Sequence, residues 1–123
     1  MAAKTLRLAP ALVAQMLDSI TTAAAGGHLD LYSGAMPSSP LQAPGSARLA
    51  RLTFDTPPAP PVGQSSIWRA RAHAYSAEGN GTATWARAVA EGGRVLLDIE
   101  LSPLAITKNG VVAVDPLLIE LPQ

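Results

Sequence analysis

The sequence predicts a mostly β fold: an antiparallel β-sandwich or jelly-roll-like domain behind one short N-terminal α-helix. Three observations predict it. Apolar residues recur at helical spacing near the start, within residues 9–26, and from residue 28 onward they alternate instead. Clusters of Gly, Pro, Asn and Ser then interrupt the alternation, dividing residues 28–122 into roughly seven short strands. The 123 residues suit a single domain, with enough chain to bury a core and no internal repeat.

The helix begins at Pro10, whose missing N–H costs nothing in a first turn. Leu12, Val13, Met16, Leu17 and Ile20 form an apolar stripe, and Gly26-Gly27 ends it. Lys4 and Arg7 ahead of this stretch imitate a secretory signal. Gln15 and Asp18 interrupt the apolar run, however, and it is too short to span a bilayer, so a soluble protein is expected.

His28-Leu29-Asp30-Leu31-Tyr32 alternates, with Leu29 and Leu31 on one side, and Ser33-Gly34 closes the strand. A Pro/Ser/Gly-rich loop over 35–46 leads to a strand over 47–54, where Ala50, Leu52 and Phe54 share a face. Residues 55–63 hold four closely spaced prolines (Pro57, Pro58, Pro60 and Pro61) and are expected to form a stiff extended arm. Residues 66–75 read as a strand with Trp68, Ala70, Ala72 and Ala74 on one face and Ile67, Arg69, Arg71, His73 and Tyr75 on the other. Glu78-Gly79-Asn80-Gly81 is a turn.

The clearest hairpin pairs residues 82–90 with 94–101 across Glu91-Gly92-Gly93. On its second arm Val95, Leu97, Ile99 and Leu101 are expected in the core, with Arg94, Asp98 and Glu100 facing out. In the last strand Val112 and Val114 set one parity while Leu117, Ile119 and Leu121 set the other. One extra residue at Asp115-Pro116, a β-bulge, reconciles them.

Few function classes survive the composition. With no cysteine there is no disulfide, thiolate nucleophile or cysteine metal site. Nine basic residues balance nine acidic ones, which leaves no field to gather nucleic acid. Charged residues are 15% of the chain, well below the ~25% of an ordinary domain. Two readings fit that deficit: surfaces reserved for subunit contacts, or a genome rich in Ala, Gly and Pro codons.

His28 and His73 are far apart in sequence, and no carboxylate set converges on either. Asp98 and Glu100 share a face with Arg94 and read as a solvated row, not an acid–base pair. Trp68 and Trp85 read as core anchors. No catalytic, cofactor or metal site is expected. The candidate partner-binding residues are the arm prolines Pro57, Pro58, Pro60 and Pro61 and the basic row Arg69, Arg71 and His73. That row fits a protein partner, nucleic acid or plain solvent, and the neutral chain favours protein over nucleic acid.

Four segments carry a resemblance. Leu29 to Pro37 (LDLYSGAMP) resembles the "L-x-I-Y-[ST]-G-x-x-P" segment of a family of small tailed-phage and prophage virion proteins. Leu49 to Phe54 (LARLTF) is similar to that family's "L-A-x-L-T-[LF]", and Gly81 to Arg87 (GTATWAR) to its "G-T-A-x-W-[FA]-R". Val111 to Pro122 resembles its closing strand. The segments fall in the same order over nearly the whole chain, but none encodes chemistry. The proline arm and Pro103-Leu104 depart from the pattern.

The resemblance implies a virion structural protein, expected as a capsid decoration or cement protein. It would be made in the bacterial cytoplasm and seated on the capsid exterior, as a homo-oligomer (a trimer) on the major capsid protein. No membrane and no small-molecule substrate is implied. A tail-associated or head-fibre protein, or a carbohydrate- or receptor-binding module, is the alternative.

Overall fold

The computed structural model describes residues 8–55 and 67–120, without the side chains of 67–69, 115–116 and 118–120. The described residues form one helix and six strands: α1 (Pro10–Ala24), β1 (His28–Tyr32), β2 (Arg48–Phe54), β3 (Ile67–Ala74), β4 (Gly81–Val89), β5 (Val95–Ile106) and β6 (Val112–Glu120). All pairings are antiparallel, in the order β5-β4-β1-β2-β3-β6.

The protein is therefore mostly β with one short helix, as the sequence predicts, but the six strands lie in one sheet. The sandwich expectation assumed that a second sheet covers the first. Here α1 covers it instead: Val13, Leu17 and Ala24 pack in one cluster with Leu29, Leu31, Ala50, Leu52 and Phe54. The sheet curls toward the helix as a half-barrel, so that the edge strands β5 and β6 line a common cleft.

Local chemistry explains the ends of α1. Pro10 sits in the first turn. At the other end Gly26 takes φ +76°, a left-handed conformation that stops a helix at little cost in glycine. Gly27 follows because a Cβ there would stand 2.2 Å from the Val89 carbonyl oxygen. The buried stripe is narrower than the sequence pattern: Val13 and Leu17 are fully buried, whereas Leu12 and Met16 are 44% and 39% exposed.

The core face of the sheet follows the predicted alternation. Leu29 pairs with Leu52 and Ala88, and Leu31 with Ala50 and Ala86. Alanines at 70, 72, 74, 83, 86 and 88 are all buried. These small side chains fill the inner face of the sheet, which gives the alanine-rich composition a packing role.

Two irregularities set the register. In β6, Val114 pairs with Ala72 and Leu117 with Ala70, so Asp115 and Pro116 together oppose Arg71: the predicted bulge. In β5, Leu101, Ser102 and Pro103 oppose the single residue Thr84, and the strand continues to Ile106 instead of ending at Leu101. Pro103 and Pro116 both sit at irregularities on edge strands, where a missing N–H breaks no ladder. A smaller slip at Leu96 pairs Val95 with Val89, itself opposite His28. Val95 thus lies on the face away from the helix, not in the expected core.

Candidate functional site

The face of the sheet turned away from α1 holds the chemistry. Where a solvated surface was expected, its side chains are largely buried: Asp30 is 3% exposed, Arg87 6% and Trp85 1%. Antiparallel pairing sets Asp98 of β5 opposite Arg87 of β4, Arg87 opposite Asp30 of β1, and Asp30 opposite Arg51 of β2. The result is a row of alternating charge across four strands.

Two forked pairs lock the row. Arg87 donates from Nε and Nη2 to Asp98 Oδ1 and Oδ2 at 2.7 and 3.0 Å. Arg51 donates likewise to Asp30 at 2.9 and 3.2 Å. Arg48 lies 3.9 Å from Asp30 Oδ2 and His28 Nε2 lies 3.7 Å from it. Both forks have the planar, charge-assisted geometry in which Arg–carboxylate pairing is strongest. Asp98, expected to face out, has a side chain only 3% exposed; Arg87 compensates its desolvation.

Beside this row runs an aromatic one. Tyr32 and Trp85 are cross-strand partners and stack with ring centroids 4.6 Å apart, and the Arg87 guanidinium carbon lies 5.4 Å from the Trp85 centroid. Trp85 is thus a buried anchor as expected, but in this second layer and not against the helix. Its Nε1, like Nε2 of His28, has no hydrogen-bond partner among the described residues.

The loop from Ser33 to Ala47 reaches this face. Arg87 Nη2 donates to the Gln42 carbonyl at 2.8 Å, Thr84 Oγ1 to the Gly34 carbonyl, and Ser46 Oγ to the Ser33 carbonyl. Gln42 Oε1 in turn accepts from Ser38 N and Oγ. Farther along, Arg48 forks onto Glu78 at 2.6 and 2.8 Å, tying β2 to the turn after β3.

Burial sets the ionisation. Desolvation pushes the His28 imidazole below its usual range, with Arg51 and Arg48 acting the same way and Asp30 opposing. Burial, and then Asp30, raises the Tyr32 phenol. The hydrogen bond from Arg48 holds Glu78 below the ordinary carboxylate range. Asp30 and Asp98 each accept a guanidinium fork, and these pairs tie neighbouring strands of the sheet together.

The predicted partner residues fall elsewhere. Pro57, Pro58, Pro60 and Pro61 lie outside the described residues, as does the side chain of Arg69, whose backbone pairs with Leu118. Arg71 is exposed. His73 meets Asp55 Oδ1 through Nδ1 at 3.2 Å and presents its ring edgewise to Tyr75. Tyr75 is 78% exposed, and Val111, at the start of the neighbouring strand, 75%.

His28 and His73, distant in sequence, share one cross-strand row because both are partners of Thr53. Two strand spacings, roughly 10 Å, keep them apart, and among the described residues no three His, Asp or Glu side chains group to hold a metal. The sequence reading missed the charge row. The signal that could have found it is opposite charges at matching offsets on paired strands, at Asp30, Arg51, Arg87 and Asp98.

Fold and site together define a helix-covered antiparallel half-barrel whose second face carries a row of ion pairs over β5, β4, β1 and β2 and exposes Tyr75 and Val111 beside it. No family model, curated protein or solved structure matches the chain.

Proposed function

We propose that the protein is a virion structural component of a tailed phage, acting as a decoration or cement protein on the outside of the major capsid shell. The observation that carries the reading is the division of the outer face. Over β5, β4, β1 and β2 its polar groups are consumed by internal ion pairs and reached by the 33–47 loop. Over β3 and the start of β6, beside the His73–Asp55 pair, it exposes Tyr75 and Val111. A rigid sheet with an exposed, largely apolar stripe at Tyr75 and Val111 suits a subunit that works by contact.

Two further supports are the order of the four resembling segments and the low charge of the chain. The mechanism is mass action: a protein that binds the assembled shell and not its free subunits stabilises the shell by its binding free energy. A homotrimer would match a capsid three-fold position.

The carbohydrate-module alternative needs exposed aromatic platforms, whereas Trp85 and Tyr32 are buried; among the described aromatic side chains Tyr75 is the exposed one. A tail or head-fibre location makes the same use of the open stripe. Light scattering on the purified protein, with heat challenge of virions lacking its gene, tests the proposal. An oligomer and heat-sensitive particles are expected. A monomer together with unaffected particles would reject the cement role.

A further inference from the structure

Leu41 is the most exposed large apolar side chain among the described residues, at 95%, so it makes almost no contact with its own chain. Its position is nonetheless fixed. Leu41 N donates to Ser39 Oγ at 3.1 Å, and Gln42 N to the Ser39 carbonyl at 3.0 Å. Ser38 N and Oγ donate to Gln42 Oε1, and the Gln42 carbonyl accepts from the buried Arg87. Pro37, Pro40 and Pro44 stiffen the same loop. A leucine held out on a preorganised turn loses little freedom when it docks, and it gains by leaving water.

The chain also carries a hollow of matching character. The cleft of about 420 Å³ between the sheet edges is lined by Leu101, Ser102, Pro103 and Leu104 of β5 and by Val114 and Leu117 of β6. Leu101, Leu104 and Val114 stay partly exposed there although they touch the core cluster. Among the described lining residues Glu100 alone is charged, and it is exposed.

Charge decides which segment suits this hollow, because an ion moved onto an apolar lining loses its hydration. The turns over 75–80, 90–94 and 107–111 carry Glu78, Glu91 with Arg94, and Lys108 respectively. Residues 33–47 carry no charge at all. Loop and cleft do not meet within one chain. The loop is bound to Arg87 on the face away from α1, whereas the cleft's leucines pack on the helix side.

We propose that Leu41 of one copy seats in the β5–β6 cleft of a second copy, and that this contact joins the protein to itself. The two surfaces differ, so the contact is head-to-tail, and it closes into a ring such as a trimer when the rotation per step allows. The seat deepens the homo-oligomeric reading and rests on it, but not on the capsid setting.

Leu41→Asp tests the seat without endangering the fold, since the side chain is exposed. Sedimentation of the full-length protein over a range of concentrations should show an oligomer. In the variant each contact should weaken roughly ten- to hundredfold, the equivalent of burying one leucine, while circular dichroism stays that of the wild type. A wild-type monomer at every concentration would overturn the seat together with the oligomer. A variant that assembles as tightly as the wild type would overturn the seat alone.

Cross-linking locates the contact, because the chain has no cysteine. Protein carrying Ala43→Cys, which keeps Leu41, is mixed with protein carrying Ser102→Cys and oxidised. The control mixture pairs Ala43→Cys with Thr22→Cys, on the exposed side of α1. A disulfide between the two chains that forms faster in the first mixture is expected. Equal rates, or a faster bond in the control, would place Leu41 elsewhere and overturn the proposal.

Discussion

Asp30 and Asp98 show how little a residue's own letter says about its burial. Each sits between apolar neighbours in an alternating strand, the pattern of a solvated face, and each is buried because pairing brings an arginine opposite. The alternation made Leu29 and Leu31 legible as core; nothing within one strand could reveal that the other face is covered as well. Breaking a buried pair leaves an uncompensated charge, so Asp98→Asn is expected to lower stability by about 3 kcal/mol. Replacing both partners, Arg87→Met with Asp98→Leu, should cost less, and urea unfolding of the three variants measures the difference.

His28 adds a pH dependence. Its folded-state value lies below 6.5, so as pH falls from 6.5 toward that lowered value the unfolded chain binds a proton that the fold resists. Stability should therefore fall with pH in this window. His28→Gln should flatten the urea midpoint across it while leaving the loss at lower pH, where Glu78, held down by Arg48, is protonated. A slope unchanged in the variant would remove His28 from the account.

At the scale of elements the legible parts were those fixed by local chemistry. The Glu91-Gly92-Gly93 turn announces the β4–β5 hairpin, and Ala90 N donates to the Arg94 carbonyl across it. The parity change in the last strand announces its bulge, since a slip of one residue would turn Leu117 out of the core. The extent of β5 was not legible, because Ser102-Pro103 reads as a terminator unless the strand is known to be an edge with a bulge opposite Thr84.

The helix was placed correctly but its stripe was read too broadly. The sheet curls around a narrow ridge, so Val13 and Leu17 fill the contact while Leu12 and Met16 sit on its flanks. Leu17→Ala should accordingly cost about 2–5 kcal/mol, and Met16→Ala less than about 1 kcal/mol. Thermal unfolding of the two proteins separates them. Similar losses would mean that the buried face of α1 has been misassigned.

For the whole molecule the sequence led to the right class, mostly β with one helix, but among the described residues a helix stands where it predicted a second sheet. Strand periodicity reports which residues face inward, not whether a sheet or a helix covers them, and a helix with two buried large side chains, Val13 and Leu17, sufficed here. The low charge, read as surface reserved for partners, has a second source. Asp30, Arg51, Arg87 and Asp98 are spent on one another in two guanidinium–carboxylate forks, with Asp30, Arg87 and Asp98 buried.

A shell-bound role requires many copies wherever the protein is found, and copy number separates that role from the tail more directly than any property of the isolated chain. Quantified staining of purified virions, scaled to the major capsid protein, is the decisive measurement. The account predicts a fixed stoichiometry to the capsid protein, with hundreds of copies per particle. A handful of copies, or none, would contradict it.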